Sequence, residues 1–236
     1  MSYVWAIVAA GLVGTVATIC AMLIRGAATR IAVIFGTTWF TWVLVTMALA
    51  DAGVYRFEPT TVRPWLAMAM TVPIVALLLL TRIPTMARIL HQPDTQWWLT
   101  MAQIFRVEGA AFLVVMALGE LPAGFAVPAG LGDIAIGLGA IYVARDLRQG
   151  RVNRRLVWFN ILGLLDLVVA TALGVTAAPG LAHVLQLSPS TQQIALLPLV
   201  LIPTTLVPLA ATLHIVSLRK LAADARTTIQ PVLVGA

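Results

Sequence analysis

The sequence is dominated by seven apolar runs, each close to twenty residues long and separated from the next by a short polar segment. About twenty apolar residues suffice for an α-helix to cross the hydrocarbon core of a bilayer. Only 10% of the residues are charged, against about 25% in an ordinary soluble domain. The chain is therefore predicted to be all-α, a polytopic membrane helix bundle of about seven transmembrane helices.

The predicted spans make up a single transmembrane domain over residues 1–236, because the loops are too short for a separate soluble domain. Their approximate limits are 3–24, 31–50, 64–81, 97–118, 124–144, 156–175 and 194–218. No positive charge precedes the first run, so it is interpreted as an uncleaved helix rather than a secretory signal. Pro122, Pro128 and several glycines leave open whether the fifth span crosses fully or re-enters.

The basic residues predict the orientation of these spans. The first, third and fifth loops and the C-terminal tail hold nearly all Lys and Arg residues outside the spans. Short cytoplasmic loops are enriched in Lys and Arg, so the N-terminus is predicted outside and the C-terminus inside. The net charge of +6 is thereby explained by topology, and we expect no nucleic-acid partner.

Several well-known chemistries lack their residues here. The single cysteine, Cys20, excludes an internal disulfide and a cysteine zinc cluster. No zinc-protease, nucleophile-elbow, Walker or Rossmann pattern is present. A retinal protein needs a lysine in the middle of its last span, whereas the single lysine, Lys220, follows that span. We predict no metal site and no catalytic residues, and the sequence leaves any cofactor undefined.

Four charged residues lie inside predicted spans, namely Arg106, Glu108, Asp133 and Asp166, and three of them lie at similar depth. Arg106, Asp133 and Asp166 are each about ten residues from the inner end of a helix, so the helical rise places them at similar depth near the bilayer middle. A charge at that depth costs about 2.5–3.5 kcal/mol on insertion scales. These groups must therefore face one another, face water or be neutral, and an ion pair between Arg106 and an aspartate is the simplest arrangement.

Other polar residues surround this trio in the sequence. Gln103 and Arg106 share a helix face, whereas Glu108 lies on another face and is expected to contact a different helix. His214, near the inner end of the seventh span, is interpreted as a proton carrier, a metal or haem ligand, or an interfacial histidine bonded to a carbonyl.

Two spans carry stripes of small and polar residues at three- and four-residue spacing, which is typical of close helix packing in membranes. The stripes are Gly130, Asp133, Gly137 and Ala140 in the fifth span, and Asn160, Gly163, Asp166, Ala170 and Gly174 in the sixth. Their sequences resemble each other around the two aspartates. This similarity is either a minimal inverted repeat, as found at transporter substrate sites, or a coincidence in an apolar background.

Two runs, Gln103-Ile-Phe-Arg106 and Leu121-Pro122-Ala-Gly-Phe-Ala-Val-Pro128-Ala-Gly-Leu-Gly-Asp133, resemble those of uncharacterised bacterial multi-span membrane proteins. The resemblance covers roughly the C-terminal two-thirds of the chain. It implies a multi-pass protein of the bacterial cytoplasmic (inner) membrane, and it implies no activity or site residue.

The first functional hypothesis is a small proton- or ion-coupled transporter or channel-like protein. Its polar site would consist of Arg106, Asp133 and Asp166, surrounded by Glu108, Gln103, Asn160 and His214. The alternative is a non-catalytic membrane accessory protein that binds a lipid, a quinone or a partner helix. An intramembrane enzyme is less favoured, because no nucleophile–base pattern is present. A purely structural cluster that fixes helix register also stays open. Partners would be the bilayer and a small molecule or ion, with oligomeric state undefined.

Overall fold

The computed structural model describes residues 1–61, 63–152, 154–180 and 183–233, with side chains described as far as residue 226. These residues are helical or irregular, and none of them belongs to a β-strand. Among them, six helices are long and apolar enough to cross a membrane, and there are seven if one sharply bent pair counts as a single span. The all-α architecture of the prediction is thereby confirmed.

The first two helices correspond closely to the first two predicted spans. Helix α1 covers Ser2–Arg25 and helix α2 covers Thr29–Asp51. The turn between them passes through Ala27, which has a positive φ of 58°. The two helices pack against each other.

The third predicted span is shorter and more bent than the other spans. Helix α3 covers Trp65–Leu80, and helix α4 covers Pro84–Leu90. The two helices meet at an angle of 87°. Pro84 begins α4 at a position where the missing N–H of proline costs no helical hydrogen bond. Helix α4 has seven residues, so it is too short to cross a bilayer by itself.

The fourth predicted span is helical throughout, but its centre has a different helical geometry. Helix α5 covers Thr95–Met101, a 3-10 segment covers Ala102–Gly109, and helix α6 covers Ala110–Ala117. A 3-10 helix has three residues per turn and is narrower than an α-helix. This segment carries Arg106, and it packs against α1, the next long helix and the last helix.

The fifth and sixth predicted spans are both continuous helices. Helix α7 covers Ala123–Arg148 and helix α8 covers Arg154–Thr176. Helix α7 has 26 residues, which corresponds to about 39 Å of length. Although Pro128 lies within it, α7 is one unbroken helix rather than the hairpin that a re-entrant segment would form.

The last predicted span, 194–218, differs from the structure at both ends. Thr191–Ala195 is a 3-10 turn, Leu196 is extended, and regular helix follows only after a π-helical turn over Ile202–Leu206. Helix α9 then covers Val207–Leu233, where a polar tail was expected after Leu218. Prolines explain the late start, because Pro198 and Pro203 lack an N–H and disfavour α geometry at the preceding residue.

A tryptophan side chain in this region donates a hydrogen bond to a carbonyl group that a proline leaves without its helical donor. In a regular helix the carbonyl of Thr204 would accept from the N–H of residue 208, but that residue is Pro208. The indole Nε1 of Trp42 on α2 donates to this carbonyl oxygen at 2.9 Å instead. Helix α2 is thereby fixed against the beginning of α9.

Candidate functional site

A buried arginine lies at the centre of the bundle, on the 3-10 segment between α5 and α6. Arg106 Nε donates to Asp133 Oδ1 at 2.7 Å, and Nη2 lies 2.6 Å from the same oxygen. Nη2 also donates to Asp166 Oδ2. The expected ion pair between Arg106 and an aspartate is therefore present, and it takes the form of one guanidinium shared by aspartates from α7 and α8.

The remaining guanidinium nitrogen faces α8 and α9. Arg106 Nη1 donates to the carbonyl oxygen of Gly163 at 3.2 Å and lies 3.3 Å from His214 Nε2. His214 Nδ1 lies 2.9 Å from Asn160 Oδ1, an oxygen that can only accept. This network assigns the proton to Nδ1 and leaves Nε2 as the acceptor for Arg106, so His214 is uncharged. His214 is fully buried, and the carbonyl oxygen that it contacts belongs to the side chain of Asn160.

From Asn160 a line of uncharged hydrogen bonds continues away from the arginine. Asn160 Nδ2 donates to Ser217 Oγ at 2.9 Å, and Ser217 Oγ donates to Gln96 Oε1 at 2.7 Å. Gln96 Nε2 donates back to the carbonyl oxygen of Ser217 at 2.9 Å. Sequence reasoning missed Ser217 and Gln96, because uncharged residues near the ends of a span are common. The available signal was spacing, since Ser217 lies three residues after His214 on the same helix face.

The other two predicted site residues on the 3-10 segment point in different directions. Gln103 Nε2 donates to the carbonyl oxygen of Ala210 on α9 at 3.0 Å. Glu108 faces α1, where a Cβ built on Gly11 would lie 2.8 Å from Glu108 Cβ. Glu108 therefore contacts a different helix from Arg106. Among the described residues, Gln103 Oε1 and Glu108 Oε2 are buried without a hydrogen-bond partner.

Glycines allow the helices to approach this cluster. A Cβ on Gly130 or on Gly137 would lie 2.9 Å from backbone atoms of the 3-10 segment, so α7 packs directly on that backbone. A Cβ on Gly163 would overlap the ring of His214, and one on Gly109 would overlap the side chain of Asp133. The small-residue stripes of α7 and α8 are thus filled by neighbouring elements of the same chain.

A cavity of about 380 Å³ leads to Asp133 from one end of the bundle. Its walls are mostly apolar and come from α3, α6, α7, α8 and the beginning of the last helix; they include Phe112, Phe125, Leu167, Ala170, Ile202 and Val207. Its other end is bordered by Glu58 and Arg63, which form an ion pair at 2.5 Å. Of the seven predicted site residues, Asp133 is the one that lines this cavity.

The cluster consists of charged side chains and of neutral side chains joined to them by hydrogen bonds. Among the described residues, no group of three or more His, Cys, Asp and Glu side chains is arranged to hold a metal ion. A cation is already present between the two aspartates in the form of Arg106. The arrangement is suited to binding and releasing a proton or a small cation next to Asp133 and Asp166.

A family model described as a domain of unknown function (DUF8737) matches residues 63–222, and the chain belongs to this family. The matched region contains every residue of the polar cluster and lacks α1 and α2. This agrees with the predicted resemblance to an uncharacterised family over the C-terminal part of the chain. Neither a curated protein nor a solved structure matches.

Proposed function

We propose that this DUF8737 protein is a small proton-coupled transporter of the bacterial inner membrane, with its N-terminus outside and its C-terminus inside. Among the described residues, six helices are long and apolar enough to cross a bilayer, and with the bent pair α3–α4 as a seventh span they support the membrane assignment and termini on opposite sides. The alternation of basic and non-basic loops supports the orientation. The bacterial origin rests on the resemblance of the runs around Arg106 and Asp133.

The observation that carries the proposal is the sharing of one guanidinium by two carboxylates at the end of an apolar cavity. With both aspartates ionised, Arg106 leaves one negative charge uncompensated. An uncompensated charge in an apolar environment is costly, so the pair requires a proton or another cation. A site that must exchange such a cation with water is the basic element of a proton-coupled transporter.

The surroundings of the cluster provide two different connections. On one side the cavity extends from Asp133 to the ends of α3 and α8, where the loops predicted to be outside lie. On the other side, His214, Asn160, Ser217 and Gln96 form a line of hydrogen bonds towards the N-terminal end of α5. Alternating access would expose the carboxylates first to the cavity and then to the side of this hydrogen-bonded line.

The test is the charge moved when protons bind. Proteoliposomes on a solid-supported membrane receive a rapid pH step, and the transient current is recorded for wild type, Asp133→Asn and Asp166→Asn. We expect a displacement current in wild type and its loss in both variants. Asp51→Asn, at the exposed end of α2, is the matched control and should resemble wild type. Unchanged currents in both cluster variants would remove the proposal.

The apolar walls favour a second candidate, an accessory membrane protein that holds a lipid or quinone in the cavity. This candidate predicts a stoichiometric apolar molecule in the purified protein, seen by native mass spectrometry, and no displacement current. Ala170→Phe, which places a ring in the cavity, should then release the molecule. A partner helix has less support, because the small-residue stripes already contact the chain itself.

A further inference from the structure

We propose that the cavity binds an amphipathic monocation, namely a protonated amine attached to an apolar body, which exchanges with a proton at Asp133. The inference rests on the proposed function, and it names the class of substrate for the same site. It is carried by the hydrogen-bonding capacity of the cavity end, the excess charge of the cluster and the character of the walls.

At the inner end of the cavity, Asp133 provides a hydrogen-bond acceptor, whereas Arg106 has no N–H group free to donate to a ligand. All three guanidinium nitrogens of Arg106 have acceptors on α7, α8 or α9. Both contacts from Arg106 to Asp133 use Oδ1, and Oδ2 accepts no hydrogen bond from the part of the chain described here. Asp133 itself is buried, with 6% of its surface exposed. A ligand that reaches it must therefore supply the donor.

Charge selects among the ligands that carry a donor. Asp133, Asp166 and Arg106 give the cluster one excess negative charge, and the buried Glu108 beside them adds a third carboxyl group and no cation. A cationic headgroup is therefore attracted, and a carboxylate or phosphate headgroup is repelled. Quinone carbonyls are acceptors and would find no unoccupied donor on Arg106. An ammonium group satisfies both requirements, since it carries a positive charge and several N–H donors.

The walls specify the rest of the ligand. A volume of about 380 Å³ lies within the range of about 300–1,000 Å³ that is usual for small-molecule sites. Phe112 and Phe125 form an edge-to-face pair with ring centroids 5.2 Å apart, and both line the cavity. Aromatic faces attract cations as well as apolar groups. An aryl or alkyl body therefore fits between the headgroup at Asp133 and the cavity mouth.

Binding of this ligand would be linked to a proton. When the carboxyl group of the cluster is protonated, an incoming ammonium ion replaces that proton, and the carboxylate then pairs with the ammonium. One proton leaves for each amine that binds, and the charge of the site is conserved. Such an exchange gives the protein a simple means of coupling the two flows in opposite directions.

The inference is tested with three probes of equal shape and different headgroup: 4-phenylbutylamine, 4-phenylbutanol and 4-phenylbutanoate. Isothermal titration calorimetry on the full chain in lipid nanodiscs measures their affinity, with the heats of empty nanodiscs subtracted. We expect the amine to bind at least about tenfold more tightly than the alcohol, and the carboxylate to bind most weakly. Equal affinity for all three probes, or a preference for the carboxylate, would overturn the inference.

Two variants separate the headgroup site from the walls. Asp133→Asn should lower the affinity for the amine to that for the alcohol, whereas Ala170→Phe should abolish the binding of both. Thermal unfolding identifies a variant that fails to fold, and Ala170→Phe leaves the polar cluster itself unchanged. Retention of the amine preference in a folded Asp133→Asn variant, or of amine binding in Ala170→Phe, would also overturn the inference.

Proton release distinguishes the inference from the function on which it rests. Titrations in two buffers of different ionisation enthalpy should show about one proton released per amine. Amine-selective binding without proton release or displacement current would contradict the transporter and leave the ligand class standing. Displacement currents with no preference for the amine would contradict the ligand class and leave the transporter standing.

Discussion

The two ends of the buried polar network differ in charge and in access. At one end, Arg106, Asp133 and Asp166 carry formal charges that do not balance, and Asp133 borders a cavity. At the other end, Asn160, Ser217 and Gln96 are uncharged, buried and joined in a closed set of hydrogen bonds. The uncharged end, called the closed end below, is stable without a bound ion, whereas the charged end is stabilised by a proton or another cation. This difference is the reason for assigning the proposed proton exchange to the charged end and a positioning role to the uncharged end.

The largest loss in the free energy of unfolding is expected when Arg106, the arginine that joins the two ends, is replaced. Arg106→Leu removes the partner of both aspartates, and breaking a buried ion pair costs about 3–5 kcal/mol. Arg106→Lys keeps the charge and loses the fork that reaches Gly163 and His214, so it should be intermediate. Denaturing-detergent titration in mixed micelles measures the free energy of unfolding. A Leu variant as stable as wild type would show that the charged end does not hold the bundle together.

A smaller effect is expected where the two ends meet, at the contact of α8 with His214. In Gly163→Ala the new methyl group would overlap the imidazole ring, and overpacking of this kind costs about 1–3 kcal/mol. Gly139→Ala is the matched control, because its Cβ would lie 3.8 Å from Phe159, an ordinary contact. The same titration should leave the control unchanged or slightly stabilised. Equal behaviour of the two variants would contradict the close packing around His214.

The smallest effect is expected at the closed end. Ser217→Ala removes the hydroxyl between Asn160 and Gln96, yet each of those side chains keeps another hydrogen bond. We expect a loss of about 1 kcal/mol in the free energy of unfolding. Binding of 4-phenylbutylamine, measured by calorimetry, should be unaffected because the cavity is remote from this serine. A loss of amine affinity in this variant would show that the two ends are coupled more strongly than their separate roles imply.

Sequence reasoning identified the charged end because charge inside an apolar run is a strong signal. The equal depth of Arg106, Asp133 and Asp166 followed from the helical rise alone, and it predicted their pairing. The spacing of Arg106 and Glu108 likewise predicted contacts with different helices, and the structure shows Glu108 against α1 and Arg106 against α7, α8 and α9. These inferences needed only regular helices, and the 3-10 geometry over Ala102–Gly109 still keeps Gln103 and Arg106 on one side.

Of the closed end, Asn160 was predicted, whereas Ser217, Gln96 and the cavity were missed because they depend on irregular backbone and on tertiary packing. The π-helical turn over Ile202–Leu206 and the extended residue Leu196 interrupt a run that is apolar enough to suggest a continuous helix. The residue at which α9 begins determines which side chains face the cavity. Hydrophobicity alone does not predict that residue. Ser217 and Gln96 are uncharged, so the sequence does not predict the hydrogen bonds that they form between α9 and α5.

The claim that the cluster is reached through the cavity from the outside is tested most directly by cysteine labelling. In a Cys20→Ala background, Ala170→Cys places a thiol on the cavity wall, and Val168→Cys places one on the exposed face of α8. We predict that a membrane-impermeant cationic thiosulfonate labels the Ala170→Cys variant in intact cells, that 4-phenylbutylamine slows this labelling, and that the Val168→Cys variant stays unlabelled in lipid. Labelling of Ala170→Cys only from the inside, or no labelling from either side, would contradict the account.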